Sequence, residues 1–180
     1  VPQSWDGSTG GALAGSPPQG NTVAQWANRL WFGGDSTNPA TLSGSVVNDP
    51  TDYSTGVGTS TGPVEQPIGD SGDPITGLFG YFDWLLVGKK NTIYRVSGSP
   101  ATDATTLKIE PLYSRARENE TVGFTSQWAI TQVGNDVVFL DGFDIKSLIG
   151  IQEFGDVKHI SIIPHFRDYL KSIGDKDYLQ

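Results

Sequence analysis

The sequence predicts an all-β protein built from antiparallel sheets. Glycine occurs 23 times and proline 11 times in the 180 residues, so the chain turns often and has few stretches long enough for a helix. Short apolar runs lie between these turns. Five Trp, six Tyr and eight Phe residues supply large units of buried area, and the chain length is sufficient for one domain with a real core.

The first segment, residues 1–22, is rich in Gly, Ser and Pro. We interpret it as a linker or as an arm that lies over another surface. Trp5 and Leu13 are its two expected apolar anchors, and the Pro17-Pro18 pair favours a locally extended backbone.

Three windows of ten residues can be superposed without a gap. They are VAQWANRLWF (23–32), LFGYFDWLLV (78–87) and ITQVGNDVVF (130–139). Each window opens on an aliphatic residue, has Asn or Asp in sixth place and closes on three apolar residues. The pattern predicts a repeated unit of strand, short turn, buried strand, second turn and third strand.

The apolar run that closes each window predicts a strand with both faces buried, as in Val137–Leu140. A strand with one wet face would alternate, whereas a sheet stacked between two other sheets gives continuous burial. Repeats of about 50 residues with several short strands are typical of propeller blades. We therefore predict a partial β-propeller of about three blade-like antiparallel sheets, with repeats near 23–77, 78–129 and 130–163. Further blades would come from outside this chain or from other chains.

Residues 164–180 are predicted to form one short helix and an exit segment. Pro164 stands at the first helical position, and Gly174 is a plausible end. Apolar residues follow the proline at the spacing of one helix face: Phe166, Tyr169, Leu170 and Ile173.

Charge and composition exclude several classes of function. The net charge is −8, and residues 1–80 carry one basic side chain, Arg29, against seven acidic ones. This chain lacks the basic footprint of a protein that reads a nucleic-acid sequence. The absence of cysteine excludes disulfides and Cys-ligated metal sites, and no apolar run reaches the length of a membrane span.

The strongest catalytic motif is GTSTG (58–62), which fits a nucleophile elbow around Ser60. That motif needs a buried strand before it and a helix after it, whereas here Pro63 follows and no apolar strand precedes. We interpret it as a flexible loop. His159 and His165, the only two histidines, are interpreted as a partly buried and a helix-start residue rather than as bases or zinc ligands.

Three acidic clusters, NDPTD (48–52), GDSGD (69–73) and DGFD (141–144), place carboxylates close together. None matches the twelve-residue calcium loop, and ordinary turns use the same residues. We interpret Asp141 and Asp144 as turn residues and predict no metal, cofactor or catalytic residue.

Arg115 and Arg117 stand at strand spacing, so both would point to one face. We interpret them as a solvated strand end, with a small cationic patch for an acidic partner as the alternative.

Three longer phrases carry a resemblance. They are NRLWFGGDSTNPATLSGSVVNDPTDYS (28–54), GDPITGLFGYFDWLLVGKKNTIYRVSG (72–98) and VGNDVVFLDGFDIKSL (133–148). As an ordered set they resemble the β-propeller region of tailed-bacteriophage tail and neck structural proteins, of the tail tubular protein B or nozzle type. The resemblance covers about residues 26–150. Gly88 departs from it, since the family tends to have an aromatic residue there.

The resemblance implies a structural component of the virion and no enzyme activity. It implies a ring-forming homo-oligomer that contacts other tail or neck subunits around a DNA channel, in the phage tail or head–tail junction, after synthesis in the host cytoplasm. The acidic net charge fits this reading, because DNA then slides past the protein rather than binding it.

The alternative is a glycan-binding or glycan-degrading, sialidase-like propeller of a phage tail. Degradation would require a cluster of Arg, Asp and Tyr, which the single early arginine makes hard to assemble. Candidate residues for glycan binding are the tryptophans Trp5, Trp26, Trp31, Trp84 and Trp128. Trp31 and Trp84 lie inside the repeated apolar stretches, which favours core packing for both.

Overall fold

We analysed a computed structural model of the chain. It describes residues 3–5, 7–13, 15, 17, 19–112, 122–148 and 168–169. These residues form β-strands and a single 3-10 turn at Ala104–Thr106, which confirms the predicted all-β class. Of the helix predicted at 164–180, only Asp168 and Tyr169 are described, and both are helical. The rest of that prediction lies outside the described residues.

The strands form three antiparallel sheets and one small hairpin. The hairpin pairs β1 (Gln3–Trp5) with β2 (Gly10–Ala12). Sheet I contains β3 (Thr22–Trp26), β4 (Arg29–Gly33), β5 (Thr41–Gly44) and β6 (Val64–Pro67). Sheet II contains β7 (Ile75–Tyr81), β8 (Trp84–Lys89), β9 (Ile93–Ser97) and β10 (Lys108–Pro111). Sheet III contains β11 (Ile130–Val133), β12 (Asp136–Asp141) and β13 (Asp144–Ser147). Each strand pairs with the one before it in its sheet, so every sheet is an up-and-down meander.

Each of the three repeated windows spans the first hairpin of a sheet. The first residue of each two-residue turn has a positive φ: +49° at Ala27, +48° at Phe82 and +61° at Gly134. Tight hairpins require this backbone because it matches the right-handed twist of the strands. The shared pattern of the three windows therefore reflects one hairpin turn geometry, which occurs once in each sheet.

Strand β8 is buried on both faces. Leu85 and Val87 belong to a core that sheet II shares with sheet I, around Trp31. Leu86, between them in sequence, belongs to a second core that sheet II shares with sheet III, around Phe139. Successive strand residues point to opposite faces, so the unbroken apolar run fills two cores at once. This is the stacked arrangement that the run predicts.

Strand β12 is covered less evenly than the same argument predicts. Val137 and Phe139 are buried, whereas Val138 and Leu140 are only half-buried. Sheet II packs against the first pair, and no described sheet packs against the second pair. The run Val137–Leu140 therefore fills one core within the described part of the chain, rather than two.

The first strands of the three sheets are neighbours. A Cβ on Gly80 of β7 would lie 2.8 Å from the carbonyl oxygen of Gln25 in β3. On the other side of β7, the Gln127 side chain accepts from the Leu78 amide at 2.9 Å and donates to the Leu78 carbonyl at 3.0 Å. The Tyr81 hydroxyl donates to the Asn135 carbonyl at the turn of sheet III. The sheets thus adjoin along β3, β7 and the segment that leads into β11.

Aromatic rings lie directly on strand glycines. The Trp31 ring covers Gly44, where a Cβ would lie 2.7 Å from the ring. The Phe124 ring covers Gly88, where a Cβ would lie 1.7 Å from Cδ2. Sheets II and III approach closely because Gly88 has no side chain. This contact requires a residue without a side chain at position 88.

We expect Gly88→Ala to destabilise the protein by about 1–3 kcal/mol, because the added methyl group overpacks the Phe124 contact. The measurement is the free energy of unfolding in urea. Gly72→Ala is the matched control, since its nearest neighbour would lie at 3.4 Å, an ordinary contact. The cost of Gly88→Ala should fall in a Phe124→Leu background. An equal cost in both backgrounds would contradict the packing account.

Candidate functional site

The edges formed by the first strands of the sheets differ in charge and proline content from the edges formed by the last strands. The first strands, TVAQW (β3), ITGLFGY (β7) and ITQV (β11), contain no charged side chain, and we call their edges the inner edges. The last strands of sheets I and II, VEQP (β6) and KIEP (β10), both carry charge and both end in proline. Charge and proline are the usual protection of an edge that faces solvent. The inner edges lack that protection, which is typical of strands that are covered.

Phe82 is an exposed aromatic residue in a strained conformation. It has a φ of +48°, and 67% of its surface is exposed at the β7–β8 turn. Its ring packs edge-on against Tyr81, with centroids 4.6 Å apart. A bulky residue at positive φ costs of order 1–3 kcal/mol and is a pointer to function. Phe82 also stands out in the sequence, because the equivalent turn positions of the other two sheets hold small residues, Ala27 and Gly134.

Arg29 is buried at the start of β4, with 2% of its surface exposed. Its guanidinium donates to four backbone carbonyls: Ser45 and Gly62 at 2.5 Å, Pro100 at 2.8 Å and Ser60 at 3.3 Å. Burial lowers the pKa of Arg29. The one basic residue of the first 80 therefore joins the β5–β6 loop to the β9–β10 loop. It is not free to bind a substrate anion, which weakens the glycan-degrading alternative.

Sheets II and III each contain a buried lysine as well. The Lys89 ammonium donates to the carbonyls of Ile68 and Asp70, both at 2.5 Å, and lies 5.8 Å from the centre of the Tyr94 ring. Burial lowers the pKa of Lys89. Lys146 pairs with Asp141. These buried cations stabilise the fold and are unavailable to a ligand.

The arm is attached to sheet I. Leu13 is buried, as predicted, and a Cβ on Gly15 would lie 2.5 Å from the backbone of Tyr53. The Gln19 amide donates to the Asp35 carboxylate at 2.7 Å. Trp5 is 69% exposed, so it does not attach the arm to the described part of this chain. The β1–β2 hairpin gives Trp5 no apolar partner among the described residues.

Ser60 lies in a series of turns. Its carbonyl accepts a hydrogen bond from Arg29, and the residues directly before and after the motif form turns and then strand β6 rather than a buried strand and a helix. The loop interpretation of GTSTG agrees with this geometry. His159, His165, Arg115 and Arg117 lie outside the described residues.

Most of the acidic clusters form turns. Asp49 accepts from the amide and hydroxyl of Thr51, and Asp70 accepts from the Gly72 amide. Asp141 instead accepts from Gly123 and Lys146 across sheet III. One Asp144 oxygen is buried without a hydrogen bond from any described residue. The described residues contain no group of three or more acidic or His side chains that could hold a metal ion.

The five tryptophans separate by exposure. Trp26 and Trp31 are buried, and Trp84 is half-buried under the Arg95 guanidinium, 4.7 Å from its ring. Trp128 is 93% exposed. Of the candidates for glycan stacking, only Trp5 and Trp128 present a free face.

We expect Arg29→Met to destabilise the protein by about 3–5 kcal/mol, because four carbonyls then lose a charged donor in a buried site. Urea unfolding measures the change. Arg95→Met is the matched control, and the loss of its pair with the exposed Glu110 and of its stack on Trp84 should cost much less than the loss of Arg29. Similar losses in the two variants would show that water already satisfies the loops around Arg29.

The attachment of the arm should depend on pH. Hydrogen bonds from the backbone amides of Thr37 and Asn38 hold the pKa of the Asp35 carboxyl below its usual range. The hydrogen bond from the Gln19 amide adds to the effect. Because the pKa is lowered on folding, the stabilisation is complete above the unfolded value, about 3.9, and is lost as the pH falls through the folded value. In an NMR titration the Gln19 amide proton should shift with an apparent pKa below 3.9, and this shift should vanish in Asp35→Asn. If the chemical shift of the Gln19 amide proton did not follow the titration of Asp35, or followed it with an unshifted pKa, the attachment would be contradicted.

We found no match to the chain among protein-family models or among curated protein sequences. In the part of the chain described above, no helix has the length and apolar character needed to cross a bilayer.

Proposed function

We propose that the chain is a structural component of a bacteriophage tail or neck, forming part of a ring around the DNA channel through protein–protein contacts. The observation that carries the proposal is the contrast between the uncharged inner edges and the charged, proline-ended outer edges. Meander sheets that adjoin along their first strands are arranged as propeller blades are.

Neighbouring subunits or further chain would complete such a ring. Propellers have four to eight blades as a rule, and the described chain supplies three sheets. An axis lined by uncharged strands suits the passage of DNA, because phosphates find no cations to bind. The buried state of Arg29, Lys89 and Lys146 keeps these cations away from the surface.

Phe82 supports a contact with a neighbouring subunit. Its conformation is unfavourable and its ring is largely exposed, so the isolated chain gains little from a phenylalanine there. Aromatic residues, phenylalanine among them, are enriched in protein interfaces relative to the rest of the surface.

Glycan binding is the second candidate function, and exposed Trp128 is the observation that favours it. Its neighbour Gln127 is bound to Leu78, and the Thr125 amide donates to the Leu140 carbonyl at 3.0 Å. The indole is therefore presented by a loop of defined shape. An aromatic face held in this way can stack on a sugar ring, although a protein partner would use the same surface.

The test begins with isolated bacteriophage particles, which are searched by mass spectrometry for the tryptic peptide 96–108. Electron microscopy of the same particles then locates the chain. We expect the peptide in the particles and a ring at the tail or neck. Phe82→Gly should reduce incorporation, while changing the stability of the isolated chain by less than about 1 kcal/mol, because strain relief offsets the lost Tyr81 contact.

Ala27→Gly is the matched control, since Ala27 has the same backbone geometry and a half-buried side chain. It should leave incorporation unchanged. Particles without the peptide, together with a monomeric purified protein, would overturn the proposal. Glycan binding that is lost in Trp128→Ala would favour the second candidate.

A further inference from the structure

A cleft of about 460 Å³ lies on the face of sheet I that points away from sheet II. Trp31 and Leu42 point into the core shared with sheet II, so their strand neighbours Phe32 and Ser43 point to the opposite face. The loop between β5 and β6 covers part of this face, and the arm crosses it near Tyr53. The cleft is the space that these three elements leave between them.

The floor of the cleft is polar. Phe32, Ser43 and Glu65 form a row across β4, β5 and β6, because Ser43 is the register partner of both other residues. Ser43 is only 5% exposed, and its hydroxyl forms no hydrogen bond with any described residue. Glu65 is exposed and has no ion-pair partner among the described side chains. The Ser43 oxygen is not among the buried unpaired atoms of the described chain, so it is open to the cleft and can accept a hydrogen bond from a ligand there.

The walls of the cleft include apolar side chains, and two contacts hold them in place. Tyr53 packs against Phe32 with centroids 5.7 Å apart, and its hydroxyl donates to the Leu30 carbonyl at 3.0 Å. Val57, Pro63 and Pro17 form the rest of the wall, with Pro17 contributed by the arm. Arg29 fixes the loop that carries Val57, through the carbonyls of Ser60 and Gly62.

Charge decides which ligand fits. Residues 1–80 have seven acidic side chains, and their one basic side chain is buried and fully used by carbonyls. Among the described residues that line the cleft, Glu65 is the one charged side chain, so the cleft favours a cationic ligand over an anionic one. Glu65 stands directly beside the Ser43 hydroxyl, at the distance of a cross-strand pair.

We propose that this cleft binds a lysine or arginine side chain of a partner polypeptide. The aliphatic part of the side chain packs against Val57, Pro17 and Pro63, as such stems do on apolar surfaces. The cationic group pairs with the Glu65 carboxylate and donates a hydrogen bond to the Ser43 hydroxyl. A side chain carried by a polypeptide suits the cleft better than a free amine, because the lining offers the ammonium group only one carboxylate and one side-chain hydroxyl beside it.

The test is an NMR titration of the full chain with a blocked pentapeptide, acetyl-Gly-Gly-Lys-Gly-Gly-amide, and with the same peptide carrying Gln in place of Lys. We expect saturable shifts confined to residues around Ser43, Val57 and Glu65, with a dissociation constant on the order of 1 mM for the Lys peptide. The Gln peptide should bind at least about threefold more weakly, because it lacks the ion pair.

Glu65→Gln should weaken binding of the Lys peptide roughly two- to fivefold, and Ser43→Ala should weaken it further in the double variant. Asp83→Asn is the matched control, because it removes the same charge at the exposed β7–β8 turn and should leave binding unchanged. Equal weakening by Glu65→Gln and Asp83→Asn, or shifts spread over the whole acidic surface, would overturn the proposal. Particle composition does not enter this test, so the binding stands or fails apart from the proposed function.

Discussion

The burial of β8 on both faces is the constraint on which the rest of the structure depends. Leu85, Leu86 and Val87 are all fully buried, and each contributes about 1.5–3 kcal/mol only while its own side of sheet II is covered. Sheet II therefore requires a sheet on either side. The stacking of sheets I, II and III follows from this need, and so does the adjoining of their first strands.

Close stacking fixes what the strands and loops must contain. The Phe124 ring, on the segment that leads into β11, fits against β8 because that strand has a glycine at position 88. The loops at the ends of sheet I are long and bring carbonyls out of water. Arg29 donates hydrogen bonds to four of these carbonyls, because one planar guanidinium provides five donors in a fixed fork. A single buried cation thus closes loops that no strand pairing reaches.

Local patterns in the sequence predicted the hairpins and the two-sided burial of β8, because turn geometry and strand alternation operate over a few residues. The partners of Arg29 were not predictable, since they lie 16 to 71 residues away. The cleft was missed for the same reason: Ser43 and Glu65 become neighbours only through the register of β5 and β6. The exposure of Trp5 was not predictable either, because apolar character alone does not place a side chain against the rest of its own chain.

Sheets I and III differ in the face that points away from sheet II, and this difference affects how a neighbouring sheet could pack against each of them. The free face of sheet III shows half-buried Val138 and Leu140, which suit packing against another sheet. The corresponding face of sheet I is already covered by the arm and the β5–β6 loop around Tyr53. A neighbour on that side meets loops and the cleft rather than an apolar sheet. Its contacts must then be made by individual side chains, and the unpaired Glu65 beside the Ser43 hydroxyl gives a basic side chain a place to bind.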